Sequence, residues 1–209
     1  MGRVSDARER LESAAMDLIH RRGYGAVGVQ EICQRAGVRP GSFYHFFRSK
    51  RDLLLTVIEH VTQGHRGRRA LVEQLPPLKR IETLFRVTAE HHAAIADATG
   101  NVQGCAIANL SLELSAHDEV VRERLVANFN EWLGFFDSTL RDGIAAGELP
   151  PIDTRRGAEV LLAHLEGALV LAKTYNSPGM LDRLCAQAVE LVRQLPPAQS
   201  EESDQPWSA

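Results

Sequence analysis

Apolar residues return at helical spacing almost from the start of the chain. Leu11, Ala14, Ala15, Leu18 and Ile19 fall on one face, and Gly23 stops the pattern in the manner of a helix C-terminus. A short helix is predicted over 29–36, with Ile32, Cys33 and Ala36 inward and Gly37 after its end. A third begins near Pro40, since proline suits a first turn, and runs through Phe43 to Phe47. Ser49 caps a fourth, from Lys50 toward Gly64, carrying Leu53, Leu54, Val57, Ile58 and Val61. After a basic linker, His65 to Arg69, further helices are predicted from Pro76-Pro77 to about Ala98, over 105–115 and over 118–146, the last ended by Gly147. Two more, 153–175 and 178–195, meet at the turn Asn176-Ser177-Pro178, and a polar tail, 196–209, is expected to be disordered. The chain therefore reads as all-α with about nine helices: a head over 1–50, a connecting helix over 50–64 and a body over 65–195.

Composition agrees with helices, because aromatic residues are only 6% of the 209. Charge divides the chain. Residues 1–70 hold 13 Lys and Arg against 7 Asp and Glu, whereas the remainder holds 11 against 20. A basic first third suits a phosphate backbone and an acidic remainder does not, although a charged stretch alone also describes a solvated face. Cys33, Cys105 and Cys185 form no CxxC pair, which disfavours a disulfide framework or thiolate zinc site and favours a cytoplasmic setting. Arg3, Asp6, Arg8 and Glu9 do not resemble a signal peptide, and no apolar run approaches the roughly 20 residues that span a bilayer. Neither a phosphate loop nor a nucleophile elbow is present, and no paired carboxylates have an evident partner, so an enzyme is not expected. His91, His92 and His164 lack the i, i+4 spacing of a helical metal site, and no cofactor is expected.

Two short helices around a glycine turn, set between a first helix and a longer fourth, have the layout of a helix-turn-helix. Gly23-Tyr24, Ile32, Ala36-Gly37-Val38, Gly41, Phe43-Tyr44-His45-Phe46-Phe47, Lys50 and Leu53-Leu54 resemble the DNA-binding domain of TetR-family repressors, without gaps over 8–55. The resemblance implies a three-helix head on a helical body that binds a ligand and dimerises. Recognition helices present their N-terminal residues to base edges, which selects Arg39, Gly41 and Ser42, with Arg39 as the base reader. Tyr44 and His45 are placed to donate to phosphates, and Lys50 to hold another at a helix N-terminus. For Tyr44, core packing with an exposed hydroxyl is an equal reading. In place of the hydroxyl residue common before the second helix stands Val27-Gly28, which removes a side-chain cap and a phosphate contact.

In the body, Gly104-Cys105, Asn109-Leu110 and Glu113 are similar to a pattern in the subgroup of electrophile- and acrylate-responsive repressors. Cys105 then sits in a helix first turn that favours thiolate, with Lys173 as a potential cationic neighbour; the alternatives are a packed thiol and a solvated lysine. Leu161, Leu165, Ala168 and Ala172, followed by Leu181, Leu184, Ala188 and Leu191, form stripes suited to a four-helix homodimer seam or to intrachain core. Three readings follow. The first is a homodimeric repressor that binds an operator on double-stranded DNA and is released by a small-molecule inducer, with Cys105 as the trap. The second keeps the repressor but gives it a reversibly bound hydrophobic inducer. The third is a helical interaction module without DNA.

Overall fold

The computed structural model describes residues 2–197, with side chains from residue 6 onward; Met1 and 198–209, most of the polar tail, lie outside the described residues. These residues form ten helices and no strand: α1 (Gly2–Arg22), α2 (Val29–Ala36), α3 (Pro40–Phe43), α4 (Lys50–Ala70), α5 (Pro77–Thr99), α6 (Ala106–Leu114), α7 (Glu119–Ala145), α8 (Thr154–Thr174), α9 (Pro178–Cys185) and α10 (Ala188–Arg193).

Three boundaries differ from the sequence expectations by more than a residue or two. The basic stretch 65–69 is not a linker but the last turns of α4. Two of its three arginines are matched there, Arg66 and Arg69 both bound to Glu131 and the Arg69 guanidinium 5.1 Å from the centre of the Trp132 ring. The third helix closes at Phe43, after which the chain tightens into turns in which His45 donates to the Ser42 carbonyl and Phe46 to that of Phe43. The single helix expected over 178–195 breaks at Ala186-Gln187 into α9 and α10.

The chain forms two compact units. The first comprises the residues up to Gly64 together with Ala106–Leu125. Its core is Leu11, Ala15, Ile19, Ile32, Cys33, Phe43, Phe47, Leu53 and Leu54, joined by Ile107 and Leu110 of α6. Gly37 ends α2 at φ 65°, the left-handed conformation that lets the Val38 amide return to the Cys33 carbonyl and starts the turn toward α3.

The second unit comprises His65–Cys105 and the chain from Val126 onward. In it α9 packs on α5 and α8, as α10 does. Phe85 and Phe136 meet with ring centres 6.0 Å apart, and Leu84, Leu140, Leu161 and Leu165 of the same unit are buried. At Gly157 a side chain would meet Leu140 Cδ1 at 2.6 Å, so glycine there leaves room for the Leu140 side chain of α7 against α8. Asp153 caps α8 and Ser177 caps α9, each accepting a main-chain N–H three residues on.

Candidate nucleic-acid interface and sensor site

In the first unit α2 lacks a side-chain cap at Gly28, as Val27-Gly28 foretold. The residues after the Gly37 turn point outward. Arg39 is the exposed N-cap of α3, Gly41 is exposed, Ser42 is half-buried, and Tyr44 and His45 are exposed. Tyr44 packs its edge against Phe43, ring centres 5.3 Å apart, and leaves 66% of its surface open. Most arginines of this unit are neutralised: Arg8 by Glu12, Arg22 by Glu31, Arg35 by Asp17 and Arg51 by Asp118. Arg39 and the exposed Arg48 form no ion pair among the described residues, so two uncommitted cations flank α3. Arg48 was not singled out from the sequence; its signal was a cation directly after the aromatic run.

Lys50 has a different setting from the one expected. Its Nζ donates to the carbonyls of Tyr24 at 2.8 Å and Val27 at 2.9 Å and lies 3.8 Å from the centre of the Tyr24 ring. Burial pushes the ammonium down from its ordinary value, with Glu113 opposing. Glu113 itself accepts from the amides of Tyr24 at 2.8 Å and Gly25 at 2.5 Å.

In the second unit Cys105 is the residue immediately before α6, preceded by Gly104 at φ 72°. Its thiol is buried and hydrogen-bonded to Glu166, whose carboxyl burial pushes up to about 7. The guanidinium of Arg68 is pushed down by burial, and the sulfur of Cys105 partly offsets that. Arg68 Nε, Glu166 Oε2 and Thr88 Oγ1 are buried without hydrogen-bond partners. Lys173, expected near this thiol, is exposed in the last turn of α8, two turns beyond Glu166. Neither Arg68 nor Glu166 was assigned a role from sequence, although a carboxylate inside the apolar run 161–172 was the available signal. Cys33 and Cys185 are buried, and burial raises both thiols, Cys185 to about 12. No cluster of three or more metal-ligating side chains occurs among the described residues.

Of the expected dimer stripes, Leu161, Leu165, Ala168, Ala172, Leu181 and Ala188 are buried within the single chain, each at most 2% exposed. They are core. Leu184 and Leu191 are half-buried. The open face of α8 carries instead Ala163, Gly167, Val170 and Leu171, all exposed.

Residues 12–57 match the family model for bacterial regulatory proteins of the tetR family, and residues 77–188 match the tetracyclin repressor-like C-terminal domain. The chain belongs to the TetR family. TetR-family relatives include the transcriptional regulator AcuR of Cereibacter sphaeroides, 33% identical over 182 residues, which are 85% of this chain and 81% of AcuR. The repressor DhaR of Mycobacterium sp. strain GP1 is 30% identical over 192 residues, 88% of this chain and 90% of DhaR. Among solved TetR-family structures, the reduced form of Escherichia coli NemR superposes with TM-score 0.77 at 26% identity, covering 91% of this chain and all of that one. A TetR regulatory protein from Rhodobacter sphaeroides gives 0.79 at 29% identity, covering 88% of this chain and 97% of its own. The chain is thus a TetR-type transcriptional regulator with a DNA-binding helix-turn-helix, and no helix among the described residues is long and apolar enough to cross a membrane.

Proposed function

We propose that this regulator is a homodimeric repressor that binds a pseudo-palindromic operator and is released when a small electrophile adds to Cys105. The observation that carries the DNA-binding part is the pair of unneutralised arginines, Arg39 and Arg48, on either side of the exposed α3 turn. Arg39, with Ser42 and the open backbone at Gly41, reads base edges, while Tyr44, His45 and Arg48 donate to phosphates. Two heads on two-fold-related half-sites require a dimer, for which the exposed apolar face of α8 is suited. DhaR, named as a repressor, supports the direction of control.

For the inducer, Cys105 presents a thiol beside a carboxyl that takes its proton and a guanidinium that steadies the resulting charge. The partnerless polar atoms of Arg68 and Glu166, the two groups that interact with Cys105, are suited to a small polar ligand. That NemR has been solved in a reduced form supports a redox-sensitive reading. The competing reading is a reversibly held ligand with Cys105 as packing, favoured by the low exposure of the thiol.

The test is selection of duplexes from a random pool by the wild type, then footprinting and titration with methyl acrylate. Symmetric protection over half-sites about one helical turn apart is expected. Release should occur in Cys33→Ser and Cys185→Ser but not in Cys105→Ser. Asymmetric protection removes the dimer, and release that persists in Cys105→Ser returns the cysteine to packing.

A further inference from the structure

The connection between α1 and α2 is held from outside its own sequence. Gly23 follows α1 at φ 86°, and Tyr24 and Gly25 then present their amides outward, where no local side chain caps them. Glu113, 88 residues further along the chain from Gly25, supplies the acceptor for both. The fit is close: a side chain at Gly25 would meet Glu113 Oε1 at 3.0 Å, and one at Gly23 would meet Oε2 at 3.1 Å. Lys50 grips the same turn from the opposite side through the Tyr24 carbonyl. The peptide groups on both sides of Tyr24 are therefore fixed by full charges, the stronger class of hydrogen bond.

We propose that Glu113 is a positioning residue for operator recognition: its carboxylate locks the α1–α2 turn and thereby sets the angle at which α2 and α3 are presented to DNA. The proposal rests on the operator-binding function above. Glu113 touches no DNA in this role. Its loss therefore lowers the affinity for the selected duplex, which demands one orientation, far more than the affinity for arbitrary duplex, which the phosphate contacts supply in many orientations. The salt dependence stays as it was, because no phosphate contact is removed.

The test uses the full chain, a duplex selected by the wild type and a scrambled duplex of equal length. In Glu113→Ala the selected duplex should bind about tenfold more weakly and the scrambled one within about twofold, with the salt slope unchanged. Amide exchange of the peptide containing Tyr24 and Gly25 should accelerate at least about tenfold while the rest of the head keeps its protection. Gly25→Ala, whose new methyl displaces the carboxylate, should reproduce the loss, and Gly25→Ala with Glu113→Ala should be no worse than either alone. Glu113→Gln retains one good acceptor and should lie between; it serves as the variant should Glu113→Ala fail to fold. Unchanged exchange at the turn, equal losses on both duplexes or additive losses in the double variant overturn the proposal. If the wild type selects no sequence, operator binding fails as a function, and the exchange measurement alone decides whether Glu113 holds the turn.

Discussion

The ammonium of Lys50 lies 3.8 Å from the centre of the Tyr24 ring and donates to that residue's own carbonyl. Two of its three N–H bonds are spent on main-chain oxygens and the charge faces an aromatic surface, so little of it is left for a phosphate. Lys50→Ala should weaken operator binding through a loosened head while leaving the salt slope within experimental error. Arg48→Ala should lower that slope by about one. A salt titration of both variants decides which cation meets the backbone.

Arg39 should act on choice rather than on strength alone. Sequencing the duplexes selected by Arg39→Ala should show one base position relaxed in each half-site, at a cost of about 1–3 kcal/mol on the original operator. Uniform weakening without relaxation would make Arg39 a phosphate ligand.

Two buried groups of the second unit pull stability in opposite directions with pH. Glu166, raised to about 7, binds a proton more readily folded than unfolded, so its contribution declines as pH rises from about 4.5 to about 7, by up to about 3 kcal/mol. His65 accepts from Trp132 Nε1 at 3.1 Å and is pushed down to about 4 by burial. Its contribution is complete above about 6.5 and is lost as pH falls toward about 4, again by about 3 kcal/mol. Between about 4.5 and 6.5 the two nearly cancel. Relative to wild type, Glu166→Gln should lose stability on acidification through that window and His65→Gln should gain it. Urea unfolding at a series of pH values measures this; parallel curves for all three proteins would refute it.

Neighbouring residues on α8 should separate association from folding. Gly167 is exposed with open space where a side chain would stand, whereas Ala168 is 2% exposed in the core. Gly167→Glu should give a folded monomer by sedimentation and circular dichroism, with operator binding lost. Ala168→Glu should be unfolded, because it buries an unpaired charge. A dimeric Gly167→Glu would move the interface off this face.

Where a local rule decides the backbone, the sequence was enough. Gly28 and Gly37 bracket α2, and the apolar spacing of α1 leads directly to its buried face. Long-range pairing defeated it elsewhere. Nothing local announces that Arg66 and Arg69 have Glu131 to bind, so a run containing Gly64 and Gly67 reads as a break although α4 continues through it. Periodicity shows that Leu161, Leu165 and Ala168 share an apolar face, but not whether a second subunit or the same chain covers it. The parting of α9 from α10 has no glycine or proline to mark it. Cys105 and Glu113 were visible as one spaced motif; that the first meets Glu166 and the second caps Tyr24 follows only from the fold.

The apolar stripe of α8, with Leu181 of α9, is buried inside one chain, and this bears on gene dosage. In the proposed homodimer, a subunit that completes its own core keeps its fold without the partner, so free monomers are a reservoir rather than debris. When total protein falls below the dissociation constant of the pair, the number of pairs varies as the square of the amount synthesised. Operator occupancy then responds to expression more steeply than in proportion, and a modest rise or fall in synthesis is amplified at the promoter before any inducer arrives.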